Sequence, residues 1–126
     1  MSRKEIRSQN AASVGPYSHG VDADGFVFAS GQAAMNPQTG KMVEGDVKAQ
    51  AEQTFKNLAG VLEAAGLTFD HVQKVNVYLT DMADFPAMNE VYQKQFAKPY
   101  PARTTVGVAS LPMGARIEIE LIAKRD

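Results

Sequence analysis

Two side chains in the last quarter of the sequence have types suited to acid–base chemistry on a small charged molecule. Arg103 lies in the segment PARTTV, residues 101–106, and Glu118 lies in RIEIE, residues 116–120. An arginine can hold a carboxylate through two parallel hydrogen bonds, and a partly buried glutamate can donate or accept a proton. Both segments resemble strands, and we expect them to be neighbours. The pairing suits hydrolysis of a small acid that carries an imine.

Several other chemistries lack the residues that they need. The chain has no cysteine, which excludes thiolate nucleophiles, disulfides and zinc sites built on thiolates. His19 and His71 are far apart and neither has the spacing of paired metal ligands, so we expect no metal site. Neither a GxGxxG nor a GxxxxGK[S/T] pattern occurs, and Ser30 with a distant histidine is poor support for an acyl-transfer triad.

Length and charge narrow the class of protein further. The 126 residues predict a single domain, 1–126, without linker or repeat. Thirteen basic and fourteen acidic side chains give a net charge of −1, which disfavours a nucleic-acid partner. Residues 1–10 are mostly polar, so we expect no secretory signal and no membrane partner. Together with the absence of cysteine, this favours a cytoplasmic location.

Turn and helix signals divide the chain into alternating elements. Asp24-Gly25 predicts a hairpin between two strands, and residues 36–40, NPQTG, predict a second turn. Between Asp46 and Gly66 the apolar residues recur at helical spacing, with Asp46 as the N-cap and Gly66 as the residue that ends the helix. A second helix is predicted from near Asp84 towards Phe96.

Two segments alternate with a period of two residues and predict strands. Val75, Val77 and Leu79 form one apolar face, and Ile117, Ile119 and Leu121 form another. The order strands, helix, strand, helix, strands predicts an α+β domain with both helices on one sheet face. The other face carries Glu118 and Glu120 beside apolar residues, so we expect contact between subunits of a homo-oligomer around a wet pocket.

Five segments along the chain resemble a known family. They are GPYSHG at 15–20, FASGQ at 28–32, NPQTG at 36–40, PAR at 101–103 and IEIE at 117–120. The sequence is similar, over essentially its whole length, to the reactive intermediate deaminase A family (RidA, also called YjgF-like).

The resemblance implies a fold, an assembly and a reaction. The fold is a single-domain, chorismate-mutase-like α+β sandwich with a mostly antiparallel sheet and two main helices on one face. The subunits form a homotrimer with active sites in the clefts between them. The activity needs no cofactor: such proteins hydrolyse 2-aminoacrylate-type enamines and 2-imino acids, released by pyridoxal-phosphate-dependent dehydratases, to 2-keto acids and ammonia.

The resemblance also assigns roles to individual residues. Arg103 would bind the substrate carboxylate and Glu118 would act on the water or the imine. Four further residues would line the site or contact the substrate: Tyr17, Ser30, Asn89 and Thr105. Thr105 stands where many members have cysteine, which bears on substrate preference more than on reaction type, since the family mechanism uses backbone groups at that position.

Each assignment has a plainer alternative. Arg103 could form an intersubunit salt bridge or lie in solvent, and Glu118 could pair with Arg116 or Lys124, although Glu120 is the better candidate for that structural role. Tyr17 could simply cover the core. Two other functions stay open: a non-catalytic trimer that binds 2-keto acids or similar carboxylates as a sensor or regulator, and a ribonuclease or translation inhibitor, which the near-neutral charge disfavours.

Overall fold

The structure is a computed structural model that describes residues 3–11 and 15–126. Its elements follow the predicted order, with one additional strand at the start. In chain order they are β1 (Arg3–Ile6), β2 (Gly20–Ala23), β3 (Phe26–Gln32), β4 (Met35–Asn36), β5 (Lys41–Met42), α1 (Val47–Ala64), β6 (Val72–Leu79), α2 (Phe85–Tyr92), β7 (Ala102–Gly107) and β8 (Ile117–Lys124). The predicted α+β class is confirmed.

The main sheet has the strand order β1-β2-β3-β8-β6-β7, and β4 pairs only with β5. Every pair in the main sheet is antiparallel except β6 with β7. After β6 the chain crosses over through α2 and returns as a parallel strand, as such connections require. Strand β8 occupies the other side of β6. The expectation that the arginine and glutamate segments are neighbours is therefore wrong, because β6 lies between them.

Both predicted turns are present. Asp24 and Gly25 have φ angles of 55° and 88°, which is the left-handed pair that a tight hairpin between β2 and β3 needs. In the second turn, the amide of Gly40 donates to the carbonyl of Asn36 at 2.8 Å and joins β4 to β5. The β4–β5 hairpin and the end of β3 lie near Glu118 and Glu120 of β8.

Helix α1 begins as predicted, with the Asp46 carboxylate accepting from the Ala49 amide at 3.0 Å. Gly66 follows its end with φ of +76°. Helix α2 is shorter than predicted, because it ends at Tyr92 and the next residues form tight turns, with the Gln95 amide donating to the Tyr92 carbonyl. Phe96 still packs into the core, 4.9 Å from the Tyr92 ring centre.

The two faces of the sheet differ as the alternation predicted. Ile117 and Ile119 are fully buried on the helix side, while Glu118 and Glu120 lie on the opposite face. That face also exposes large apolar side chains: Phe26, Phe28 and Val106. Subunit contact through it remains a prediction. In the part of the chain that the structure describes, neither α1 nor α2 is long and apolar enough to cross a membrane.

Candidate active site

A concavity of about 560 Å³ opens on the face of the sheet opposite the helices. It is bounded by the end of β3, by β8, by the β4–β5 hairpin and by the turn at residues 112–114. Three of the predicted site residues line it: Tyr17, Ser30 and Glu118. Its volume falls in the range of pockets that bind small molecules, about 300–1,000 Å³.

Glu118 is positioned by a close approach to strand β3. The pairing of β3 with β8 shifts register between Ala29 and Gln32, so Ser30 and Gly31 lie in an irregular stretch of the strand. A side chain on Gly31 would place its Cβ 2.6 Å from the Glu118 carboxylate, so any larger residue there would force the Glu118 side chain to move. Burial, and secondarily the charge of Glu120, raise the pKa of Glu118 above its usual value. A carboxyl group with a raised pKa is suited to donating and accepting a proton.

Glu120 lines the same concavity but has structural partners. Its carboxylate accepts from the Tyr78 hydroxyl at 2.9 Å and from the Asn76 amide at 3.4 Å. The alternative in which a glutamate of β8 pairs with Arg116 or Lys124 is not found: Arg116 binds both oxygens of Asp84, and Lys124 lies over the Phe26 ring. Glu120 therefore contributes a fixed negative charge beside Glu118.

Ser30 presents an acceptor to the concavity. Its hydroxyl donates to the Ser18 carbonyl at 2.6 Å and its amide donates to the His19 carbonyl at 2.9 Å. With its single proton engaged, the Ser30 oxygen has only lone pairs left to offer a ligand. Tyr17 is 39% exposed and borders the same space.

Arg103 lies on β7 and faces the helix side of the sheet. Its guanidinium donates to the Asn89 side-chain oxygen at 2.7 Å and lies over the rings of Tyr92 and Phe85, 4.6 and 5.4 Å from their centres. Phe85, Asn89 and Tyr92 are spaced along one side of α2, so the helix holds the arginine from three points. Arg103, Asn89 and Tyr92 border a second concavity of about 400 Å³.

Thr105 lies two residues beyond Arg103 on the same side of β7, opposite Val77 of β6. Its hydroxyl oxygen is buried and has no hydrogen-bond partner among residues 3–11 and 15–126. Such a group carries a desolvation cost unless a ligand or a second chain satisfies it.

The structure thus brings the predicted residues together in two groups. Tyr17, Ser30 and Glu118 share one concavity, whereas Arg103 and Asn89 share the other. Arg103 is paired with Val75, which is buried under the helices, while Glu118 lies on the opposite face. A single chain therefore cannot present Arg103 and Glu118 to one small molecule.

Sequence reasoning missed the residues that hold the predicted ones. Phe85 and Tyr92 lie against the Arg103 guanidinium, and with Asn89 they follow the i, i+4, i+7 spacing of one helical face. That spacing was a usable signal. The contact of Gly31 with Glu118 had no such signal, because it depends on how β3 is registered against β8.

His19 is buried and has a structural role. Its Nδ1 accepts from the Ser8 amide at 3.0 Å, which leaves the proton on Nε2. Burial, and next the positive charge of Arg7, lower the pKa of His19. Across the described ranges, no three histidine, aspartate or glutamate side chains are grouped so as to hold a metal ion.

Comparison with known proteins places this geometry in a family. The family model described as endoribonuclease L-PSP matches residues 8–125. Protein DfrA of Myxococcus xanthus is 48% identical, covering 98% of this chain and 96% of its own. A 2-iminobutanoate/2-iminopropanoate deaminase of Dermatophagoides farinae is 46% identical, covering 97% of each chain.

Two solved structures have the same fold. RidA from the Antarctic bacterium Psychrobacter sp. has a TM-score of 0.94 and 45% identity, covering 98% of this chain and 100% of that one. Escherichia coli TdcF, solved with bound serine, has a TM-score of 0.92 and 42% identity, covering 98% and 99%. The chain therefore belongs to the RidA, or YjgF-like, family.

Proposed function

We propose that this protein is an enamine/imine deaminase that hydrolyses 2-iminopropanoate-type acids and their 2-aminoacrylate-type tautomers to 2-keto acids and ammonia. The carrying observation is Glu118, a carboxyl group with a raised pKa beside Ser30 and Tyr17 in a concavity of small-molecule size. Relatives at similar identity whose names state this reaction support the assignment.

Because Arg103 and Glu118 lie on opposite faces of the sheet, a complete site needs two subunits. We propose a homotrimer in which Arg103 of one subunit faces Glu118 of the next across a cleft. The exposed apolar side chains of the sheet face, Phe26 and Phe28, support its use as a subunit contact. The unsatisfied hydroxyl of Thr105 on the arginine side supports completion of that half by a second chain.

The residues divide the reaction among themselves. Arg103, held flat by its contacts with Asn89 and Tyr92, binds the substrate carboxylate through parallel hydrogen bonds. Ser30 accepts a hydrogen bond from the substrate nitrogen, since its own proton is engaged. A water molecule adds to the imine carbon while Glu118 transfers one of its protons to the nitrogen, which gives a carbinolamine. Glu118 then moves the remaining hydroxyl proton to the amino group, and the carbon–nitrogen bond breaks to release ammonia and the 2-keto acid.

The reaction can be tested by trapping the substrate. An amino-acid oxidase acting on alanine supplies 2-iminopropanoate, and semicarbazide traps it as a semicarbazone that absorbs light. Wild-type protein should suppress trapping, Arg103→Ala should not, and the matched control Arg7→Ala, at an exposed arginine, should behave as wild type. No suppression by folded wild-type protein with several amino acids would refute deaminase activity.

A binding function is the second candidate, and one observation favours it. The solved structure of TdcF contains bound serine, which is a small molecule with a carboxylate. Calorimetry with pyruvate and serine distinguishes the two functions when it is combined with the trapping assay. Binding that depends on Arg103 without any suppression of trapping would identify a carboxylate sensor.

Ribonuclease activity has weaker support. The family model carries that name, but the net charge of −1 offers no excess of cations to hold a phosphate chain. We expect RNA cleavage, where detected, to disappear on further purification and to be unchanged in Glu118→Gln. RNA cleavage that copurifies with the protein and depends on Glu118 would support ribonuclease activity.

A further inference from the structure

The concavity around Glu118 has two walls of different chemistry. Its polar groups, including Ser30, Glu118 and Glu120, come from strands of the main sheet. The opposing elements, the β4–β5 hairpin and the turn at 112–114, contribute only apolar side chains: Met35, Met42, Pro112 and Met113. We call the three methionines the Met wall. The reaction needs the polar groups but assigns no role to the Met wall.

The hairpin part of the Met wall is fixed in place. Met35 and Met42 are direct cross-strand partners, so their side chains lie on the same side of the hairpin. Asn57 of α1 is fully buried, and its side-chain amide donates to the Met35 carbonyl at 2.8 Å and to the Ala33 carbonyl at 3.2 Å. This buried amide ties the backbone at Met35 to helix α1.

Met113 completes the wall from the other side. It adopts a left-handed φ of 59°, which is uncommon for a residue with a side chain, and it is 57% exposed. Strained backbone of this kind persists where the surrounding structure holds it and is concentrated at functional sites. The Arg116 amide, three residues on, donates to the buried Gln50 side chain at 3.0 Å and anchors the end of this loop.

From this arrangement we propose that the Met wall is the subsite for the substrate side chain. The preferred substrates are then 2-imino acids with unbranched aliphatic or thioether side chains, longer than that of 2-iminopropanoate. This inference rests on the proposed deaminase function and adds its substrate class.

Three physical features select that class. The space that one chain leaves open, about 560 Å³, is larger than 2-iminopropanoate fills. Methionine side chains are unbranched and polarisable, and they adapt to flexible apolar ligands. No basic side chain lines the concavity among the described residues, while Glu118 and Glu120 do, so a second carboxylate on the substrate would be repelled.

The first test compares imines of different length. Alanine and norleucine, each with an amino-acid oxidase and semicarbazide, supply a short and a long unbranched imine. A single methylene in an apolar pocket changes discrimination by about tenfold or more, so we expect the wild-type kcat/KM for the norleucine product to exceed that for the alanine product at least tenfold. Met113→Ala should reduce this ratio to about threefold, since it removes most of one side of the subsite.

A matched control lies on the same protein. Met82 is 44% exposed and does not line the concavity, so Met82→Ala should leave the ratio unchanged. An unchanged ratio in both Met113→Ala and Met42→Ala, with wild-type hydrolysis intact, would overturn the subsite. Met113 is exposed enough that its variant should fold, which circular dichroism and gel filtration would verify.

The second test does not depend on turnover. Calorimetry with pyruvate, 2-oxohexanoate and 2-oxoglutarate compares a short, a long apolar and a long acidic ligand. We expect 2-oxohexanoate to bind at least tenfold more tightly than the other two, and Met113→Ala to remove that advantage. If wild-type protein hydrolyses no imine, the deaminase function fails, while these affinities still decide the subsite. Equal affinities for all three ligands would refute it.

Discussion

The candidate site has an arginine half, around Arg103, and a glutamate half, around Glu118. The two halves support their charged side chains in opposite ways. Arg103 is held by three groups of its own chain, an amide oxygen at 2.7 Å and two aromatic rings, all on α2. Glu118 instead lies against Gly31 and near the charge of Glu120, where burial raises its pKa. One environment fixes a charge and its position, and the other makes a charge easy to lose. Binding and proton transfer need these different supports.

The comparison is tested most strongly by removing the proton-transfer group. Glu118→Gln keeps the shape and burial of the side chain but cannot exchange a proton, so we expect kcat to fall by about 10² to 10⁴. Carboxylate binding should change little, because Arg103 is untouched. Glu63→Gln, at an exposed glutamate of α1, is the matched control. A Glu118→Gln protein with wild-type kcat would exclude the assigned role.

A mixing experiment tests whether the two halves meet across a subunit boundary. Arg103→Ala and Glu118→Gln chains, each inactive alone, are unfolded, mixed in equal amounts and refolded together. Random assembly of a closed oligomer with a heterologous interface gives about a quarter of the sites both intact groups, so about a quarter of wild-type activity should return. A mixture as inactive as its components, when wild-type protein refolded in the same way regains activity, would refute a site shared by Arg103 and Glu118 of neighbouring subunits.

The aromatic support of the arginine should affect binding more than turnover. We expect Phe85→Leu to raise KM by between about 2-fold and 30-fold, which corresponds to the range of cation–π energies, with a smaller change in kcat. Tyr92→Phe keeps the ring under Arg103 and removes a hydroxyl that has no partner among the described residues, so its KM should stay near wild type. A proportional fall in kcat for Phe85→Leu would instead indicate general loss of structure.

The sequence predicted these two halves unequally, for physical reasons. Local signals sufficed for the Asp24-Gly25 hairpin, for both ends of α1 and for the face on which Glu118 lies, because caps, turns and alternation act over a few residues. Strand order is not local. The residues of segments 101–106 and 116–120 do not indicate that β6 lies between them. The sequence alone therefore predicted one site within the chain, whereas Arg103 and Glu118 lie in two separate places.

The individual residues that surround Arg103 and Glu118 were even harder to predict from the sequence. Asn89 was identified only through family resemblance, and its contact with Arg103 depends on α2 lying next to β7. The Met wall depends on a register between two-residue strands and on a left-handed residue at 113, neither of which leaves a periodic pattern. Residue spacing in the sequence does not predict positions that are set by tertiary contacts.

The smallest expected effect concerns stability, and it follows from the raised pKa of Glu118. Its ordinary pKa is 4.5, and burial raises the pKa in the folded protein. A group of this kind contributes stability that is fully present below the unfolded-state pKa and is lost as pH rises through the folded-state pKa. Ionised Glu118 therefore weakens the fold at neutral and alkaline pH. Glutamine cannot ionise, so Glu118→Gln should gain stability relative to wild type as pH increases from 4 to 8.

Urea unfolding at a fixed protein concentration measures this difference, since the stability of an oligomer depends on concentration. Glu63→Gln, whose side chain is exposed, should track wild type at every pH. We expect Glu118→Gln to gain stability that grows with pH while it loses turnover. That result would show that the carboxyl group used for proton transfer lowers the stability of the fold when it is ionised. A difference independent of pH would mean that Glu118 is as easily ionised in the folded protein as in the unfolded chain, and the contrast with the fixed charge of Arg103 would then be lost.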